Sequence, residues 1–199
     1  KDGMRFQDLP AGATVATGSL RRRALLQALR PDVHLTDLRG NIDTRLRTLS
    51  NAKDLQGIIL ALSGVKRLTL TAAVTDILDP PSWLPAPGQG ALGIATRDDD
   101  TRVLAAVLDH APTRCAVTAE RAVLARLEGG CHVPMGAYAQ LENGLLRIAA
   151  FIADLNAARM VRYEQTGDPE AAEQIGDAVG QYLLANGGAD ILKDLSKTL

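Results

Sequence analysis

The sequence predicts an α/β domain with a mostly parallel sheet, followed by a smaller α+β domain in which a three-stranded antiparallel sheet is covered by helices. Three features carry this. Short apolar runs alternate with helical stretches over the first sixty residues, as in βαβ units. A stiff stretch, 79–90, holds four prolines and two glycines in twelve residues. Beyond it, three strand-like runs follow one another, and the first two are joined by Asn-Gly, a strong hairpin signal.

In chain order, Thr14–Thr17 reads as a strand, Leu20–Leu29 as a helix and Val33–Leu38 as a strand. Ile42–Leu49 is again helical, and Gly57–Ala61 is a short buried strand. Ser19 and Asn41 are the residue types that cap helix N-termini. After the Pro/Gly-rich stretch, Ala91–Thr96 reads as a strand and Asp99–Leu108 as a helix. From Thr113 to Leu127, residues Ala116, Ala119, Val123 and Leu127 fall on one helical face. Gly129 and Gly130 then stop that helix, one of them in the left-handed position. Met135–Leu141, Leu145–Ile152 and Met160–Gln165 are the three antiparallel runs. Asp168-Pro169 opens a helix that buries Ile175, Val179, Tyr182 and Leu183, Gly187-Gly188 ends it, and a last helix holds Ile191, Leu192 and Leu195.

The chain has 199 residues, 46% of them apolar, enough for one or two real cores. Its formal charge of −1 suggests neither a nucleic-acid nor an acidic-membrane partner. No apolar run reaches membrane-spanning length, and no metal-type cysteine pair occurs, so no metal site and a reducing cytoplasm are the expectations. Lys1 in first place leads to the expectation that polypeptide precedes it.

Seven arginines fall between residues 21 and 47, offset by only three aspartates. Arg21 and Arg22 sit in the first turn of their helix, where cations oppose the macrodipole at about 0.3–1 kcal/mol each. A bound anion would remove that conflict, since backbone N–H groups and guanidinium forks would converge on it. Arg39-Gly40-Asn41, with Arg45 one turn on, repeats the arrangement. Both turns follow strand C-terminal ends, where open α/β sheets bind ligands. Ligand contact is the favoured reading for Arg21, Arg22, Arg39 and Arg45; Arg23, Arg30 and Arg47 read as a solvated face. A nucleic-acid role is poorly supplied, because two Phe, three Tyr and one Trp give no stacking platform.

Cys131 follows the helix stop in Leu127-Glu128-Gly129-Gly130-Cys131-His132-Val133-Pro134. Two readings stay open from local pattern: a packed corner residue, or a thiol presented on a loop. The helix C-terminus raises rather than lowers a thiol pKa, so this is not a protease-type thiolate. His132 points away from its neighbour in an extended segment, and His34 and His110 lack ligand spacing.

Four segments in order, Thr17-Gly18-Ser19-Leu20-Arg21-Arg22, Leu38-Arg39-Gly40-Asn41-Ile42-Asp43-Thr44-Arg45-Leu46, Leu84-Pro85-Ala86-Pro87-Gly88-Gln89-Gly90 and the Cys131 segment, resemble the porphobilinogen deaminase (hydroxymethylbilane synthase) family of tetrapyrrole biosynthesis. The resemblance implies a periplasmic-binding-protein-like α/β domain over 1–84, the family's second domain. It implies an interdomain crossing and first-domain return segment over 85–109, and an α+β cofactor-attachment domain over 110–199, the family's third.

It further implies a transferase that joins four porphobilinogen units head to tail, with loss of ammonia, into hydroxymethylbilane on a dipyrromethane cofactor bound through Cys131. The implied cofactor contacts are Thr17, Ser19, Arg21, Arg22 and Gly40. The implied substrate contacts are Arg39, Arg45, Arg67 and Gln89. The implied partners are porphobilinogen and the growing pyrrole chain, with the full-length protein a cytoplasmic monomer.

The sequence departs from the family at Gly18, where a second hydroxyl residue is usual, and over Asn51–Gly57, which is one residue longer. No carboxylate corresponds to the family's catalytic aspartate; Asp37, Asp43 and Asp54 do not replace it. The expectation is therefore a chain lacking the first half of the first domain and inactive alone. The alternative is a non-catalytic module that captures a polycarboxylate.

Overall fold

The computed structural model describes residues 3–128 and 132–198. Gly129, Gly130 and Cys131 lie outside the described residues. The first part runs β1 (Thr14–Ala16), α1 (Leu20–Leu29), β2 (His34–Thr36), α2 (Ile42–Asn51), β3 (Gly57–Ile58) and α3 (Leu62–Arg67). The three strands form a parallel sheet in the order β2-β1-β3, with Val15 facing Leu35 on one side and Gly57 on the other. Both helix N-termini are capped as the residue types predict: Ser19 accepts from the Arg22 N–H (3.4 Å) and Asn41 from the Thr44 N–H (2.9 Å). Ala24, Leu25 and Leu26 turn the buried face of α1 inward.

Next come α4 (Asp100–Ala106), α5 (Ala111–Arg126), β4 (Met135–Glu142), β5 (Leu145–Ala153), β6 (Met160–Gly167), α6 (Ala172–Leu183) and α7 (Ala189–Thr198). The strands make an antiparallel sheet in the order β4-β5-β6. Asn143 (φ +52°) and Gly144 (φ +78°) form the two-residue turn between the first two, both with positive φ. That matches the twist such hairpins need.

The middle strand of this sheet joins the two halves of the protein. Along β5, Leu146, Ile148, Ala150 and Ile152 pack into a core with α5, α6 and α7. The alternate residues Ala149, Phe151 and Ala153 pack against Val15, Leu25, Leu26, Trp83 and Leu84. A period of two thus buries both faces of one strand. Each large side chain such as Phe151 contributes about 1.5–3 kcal/mol by leaving water. Gly136 on β4 permits the connection, since a Cβ there would lie 2.7 Å from both the Pro85 carbonyl oxygen and the Phe151 ring. The Ala137 N–H donates to that same Pro85 oxygen at 3.1 Å.

Three local expectations are corrected. Tyr182 is 41% exposed rather than part of the buried face of α6, because its ring stacks on that of Tyr163, centroids 3.8 Å apart. Ala91–Thr96 pairs with no strand among the described residues. Leu92 (94% exposed) and Ile94 are open to solvent, so the segment has neither ladder nor core to hold it extended. Glu128, after α5, is left-handed (φ +48°), and the expectation of a left-handed glycine falls on Gly129 and Gly130, outside the described residues. The helix also begins two residues earlier than expected, because His110 caps it by accepting from the Thr113 N–H.

Candidate anion cleft

The strand-to-helix turn 17–19 is fixed by its own hydrogen bonds. Thr17, 1% exposed, donates its N–H to the Thr36 carbonyl, and its Oγ1 accepts the Ser19 N–H at 3.3 Å. Gly18 passes so close to β2's continuation that a Cβ would sit 3.1 Å from the Leu38 carbonyl oxygen. A side chain there would ask the Leu38 carbonyl to give way by a few tenths of an ångström.

The turn delivers Arg21 and Arg22 into a cleft of about 470 Å³ beside the C-terminal end of the parallel sheet. Arg21 is only 8% exposed. Its Nη1 donates to the Leu84 carbonyl (2.7 Å) and its Nη2 to Gln89 Oε1 (3.2 Å). Arg22 Nη1 donates to the Ile59 carbonyl at 3.1 Å. Among the described residues neither guanidinium forms an ion pair with a carboxylate. Burial, with Arg22 close by, brings Arg21 down to about 10, and burial with Arg45 close by lowers Arg22 as well. Asp76 and Asp79 also line the cleft, but neither pairs with Arg21, which is buried, or Arg22, which is half-buried, so the two guanidinium groups suit a ligand with two or more carboxylates.

Of the residues singled out from sequence, Arg21, Arg22 and Gln89 line the cleft. Arg45 stands near enough to Arg22 to lower its pKa, and its Nε is turned back onto the Gly40 carbonyl at 2.8 Å. Gly40 (φ +107°) makes that turn, with Thr44 too close for a side chain. Arg39 and Arg67 are exposed and do not line the cleft. Ser19 and Thr17 stand behind it as cap and turn support. Cys131 lies outside the described residues; the buried Leu127 brings the chain to within four residues of it.

The residues read as a solvated face divide. Arg23 pairs with Asp37 at 3.1 Å and Arg47 is exposed. Arg30 does more than face water: it pairs with Asp32 at 2.6 Å and donates to the carbonyls of Phe6, Gln7 and Leu9, tying the N-terminal segment down.

Sequence reasoning missed Glu120. It is 5% exposed, accepts from the Gly88 N–H (2.5 Å) and the Ala139 N–H (2.8 Å), and burial pushes its carboxyl above the ordinary value. The available signal was an acid on the apolar stripe of α5, between Ala116 and Val123.

Comparison with known proteins then decides the family. Residues 1–105 match the family model for porphobilinogen deaminase, dipyromethane cofactor binding domain, and residues 114–185 match that for its C-terminal domain. The chain belongs to the porphobilinogen deaminase family. Curated porphobilinogen deaminases from two strains of Xanthomonas campestris pv. campestris are each 46% identical over 192 residues, covering 96% of this chain and 63% of theirs. That of Xylella fastidiosa is 46% identical over 191 residues, covering 95% of this chain and 62% of its own. The chain thus spans about 63% of the length of the porphobilinogen deaminases it matches. The buried guanidinium pair lies within the part matched to the cofactor-binding domain. No described helix is long and apolar enough to cross a membrane.

Proposed function

We propose that this chain carries the cofactor-binding and cofactor-attachment parts of a porphobilinogen deaminase. The reaction is the head-to-tail condensation of porphobilinogen, with loss of ammonia, into hydroxymethylbilane. The observation that carries this is the pair Arg21 and Arg22, buried or half-buried cations with no acid partner among the described residues. Their chemistry fits a dipyrromethane, whose rings bear acetate and propionate groups. When bound, that group supplies the primer on which pyrrole units are added.

In this reading Arg21 and Arg22 hold the cofactor carboxylates in the cleft, at a depth where charge-assisted hydrogen bonds are strong. Ser19 and Gly40 present turn backbone beside them, and Thr17 keeps its hydroxyl proton as a donor, its Oγ1 already accepting from Ser19. Gln89 fixes the Arg21 fork from the crossing segment. Arg45, with Arg39 and Arg67 on the exposed rim, attracts the carboxylates of incoming porphobilinogen and the growing chain. Cys131 provides the thioether.

The domains of this reading are 1–84, a periplasmic-binding-protein-like α/β unit; 85–109, the crossing and return segment; and 110–199, the attachment unit. The open stretch bearing Leu92, Val103, Leu104 and Val107 is then a return segment whose apolar side chains pack on a further part of the family fold. The protein works in the cytoplasm as a monomer.

Intact mass spectrometry tests the proposal. After incubation with hydroxymethylbilane, an addition of the whole four-ring chain less one water is expected on the wild type, the thiol replacing the hydroxyl group, and none on Cys131→Ser. An unmodified wild type, or equal uptake by Cys131→Ser, overturns it in favour of a module that only captures polycarboxylates.

A further inference from the structure

The structure points to Glu120 as a positioning residue: we propose that its carboxylate holds the Gly88–Gly90 turn in the place from which Gln89 orients Arg21 toward the ligand. The proposal rests on the reading of Arg21 as a ligand-binding cation.

Glu120 lies on α5, in the C-terminal half, while the residue it serves lies on α1. The link between them is a continuous set of hydrogen bonds. Glu120 Oε1 accepts from Ala139 on β4, and Oε2 accepts from Gly88. Gly88 (φ +72°) is a left-handed residue that shapes the turn. The next residue, Gln89, accepts through Oε1 from both the Ala86 N–H (3.2 Å) and Arg21 Nη2 (3.2 Å). Arg21 Nη1 closes the circuit on the Leu84 carbonyl (2.7 Å), and the Pro85 carbonyl is held by Ala137. Segment 84–89 is therefore fastened to β4 at one end, to α5 at the other, and grips Arg21 between them.

A purely structural role would not call for a carboxylate here. No cation pairs with Glu120 among the described residues, and an ionised carboxyl so deeply buried carries a desolvation cost that a hydroxyl or amide would not. What the carboxylate offers is two acceptor oxygens at once, one for a strand N–H and one for the turn N–H, with no proton of its own to clash with either. Glutamine would turn an amide NH₂ toward one of the two donors.

The test uses the 199-residue chain, calorimetric titration with a free dipyrromethane tetracarboxylate as probe, and thermal midpoints recorded alongside. Glu120→Gln and Gln89→Ala are each expected to weaken binding about fivefold, the effect of one ordinary hydrogen bond. The double variant is expected to show the same fivefold loss rather than the product, since both changes cut one link. Glu120→Asp keeps the charge but shortens the reach by one methylene. It carries the test if Glu120→Gln does not fold, and the same fivefold loss is expected. Variants at Glu120 that lower the midpoint but bind the dipyrromethane probe as wild type does overturn the proposal, as does a double variant whose losses multiply. Arg21→Met separates the two ideas: weaker binding there with silent Glu120 variants refutes only the positioning role. Equal binding by wild type and Arg21→Met overturns the ligand reading and the positioning role with it.

Discussion

Replacing Arg21 by methionine separates binding from stability, because two opposing terms in the unliganded protein nearly cancel. Burial, with Arg22 nearby, brings the guanidinium down to about 10. At about 1.4 kcal/mol per pKa unit, the charged side chain is disfavoured there by roughly 3 kcal/mol relative to water. Its hydrogen bonds to the Leu84 carbonyl and Gln89 return about 1.5 kcal/mol each for a charged donor, about 3 kcal/mol together. Methionine keeps the apolar stem and removes both terms. Equilibrium urea unfolding of Arg21→Met is therefore expected to differ from wild type by no more than about 1 kcal/mol. Binding has no such cancellation, since the ligand carboxylate loses a desolvated, charge-assisted partner worth about 2 kcal/mol. The affinity for a pyrrole di- or tetracarboxylate, read by calorimetry, is expected to fall about thirtyfold. The reasoning is refuted by the reverse pattern, a loss of several kcal/mol in stability with affinity unchanged. That would make Arg21 a structural cation that clamps the crossing segment.

Gly176 on α6 faces α5, where a Cβ would lie 2.1 Å from the Ala119 carbonyl oxygen and 2.8 Å from the Ala122 Cβ. Gly176→Ala gains about 1 kcal/mol of helix propensity but forces two helices apart, so a net loss of about 1–2 kcal/mol is expected in urea unfolding; an unchanged or higher midpoint speaks against that packing. Leu127, fully buried at the end of α5, is expected to cost about 2–4 kcal/mol as Leu127→Ala, measured the same way, and less than 1 kcal/mol contradicts its place in the core. For Glu120 the folded state favours the protonated carboxyl, so the unfolded chain releases its proton at lower pH than the native one. Stability is then highest below the ordinary carboxylate pKa and falls as pH rises toward the raised native value. Glu120→Gln lacks this term. The wild type minus Glu120→Gln difference should drift against the wild type between pH 4 and neutrality, and a flat or opposite drift refutes it.

Most elements are legible because their signals are local. Ser19, Asn41 and Asp168 cap helices as their side chains dictate, and Asn143-Gly144 makes the hairpin turn. The apolar stripe ending at Leu127 is the face that α5 buries. The misread segment, Ala91–Thr96, shows the boundary of such reasoning: alternation marks a segment fit for a sheet, while a strand exists only where a neighbour supplies the ladder. The Gly18 approach to Leu38 and the Glu120 contacts with Gly88 and Ala139 escaped for a related reason. They depend on distances between segments far apart in sequence, and no residue spacing encodes those. Arg30 was underread because its partners are backbone carbonyls, which carry no sequence signature at all.

What separates the cleft from the rest of the surface is the combination of withdrawal from water with the lack of a carboxylate partner, since exposed arginines such as Arg39, Arg47 and Arg67 also form no ion pair among the described residues. Arg23, Arg30, Arg126, Arg147 and Arg159 all stand within 4 Å of a carboxylate. Most of these pairs are solvent-exposed, where each contributes little and is screened by salt. Arg21 and Arg22 keep no such partner, and they are the two that burial shifts downward. A protein selected only for stability would place an acid beside them or make them apolar, since an unpaired buried charge is among the costliest features a fold can hold. The near-cancellation at Arg21 holds only while Leu84 and Gln89 stay in position, and their position depends on Glu120. Of the two acids that line the cleft, Asp76 is held by Arg5 and the Phe6 N–H, and neither it nor Asp79 pairs with Arg21 or Arg22, while Glu120 fixes the turn from farther off. A carboxylate placed nearer would neutralise the site that the carboxylates of the ligand are to occupy.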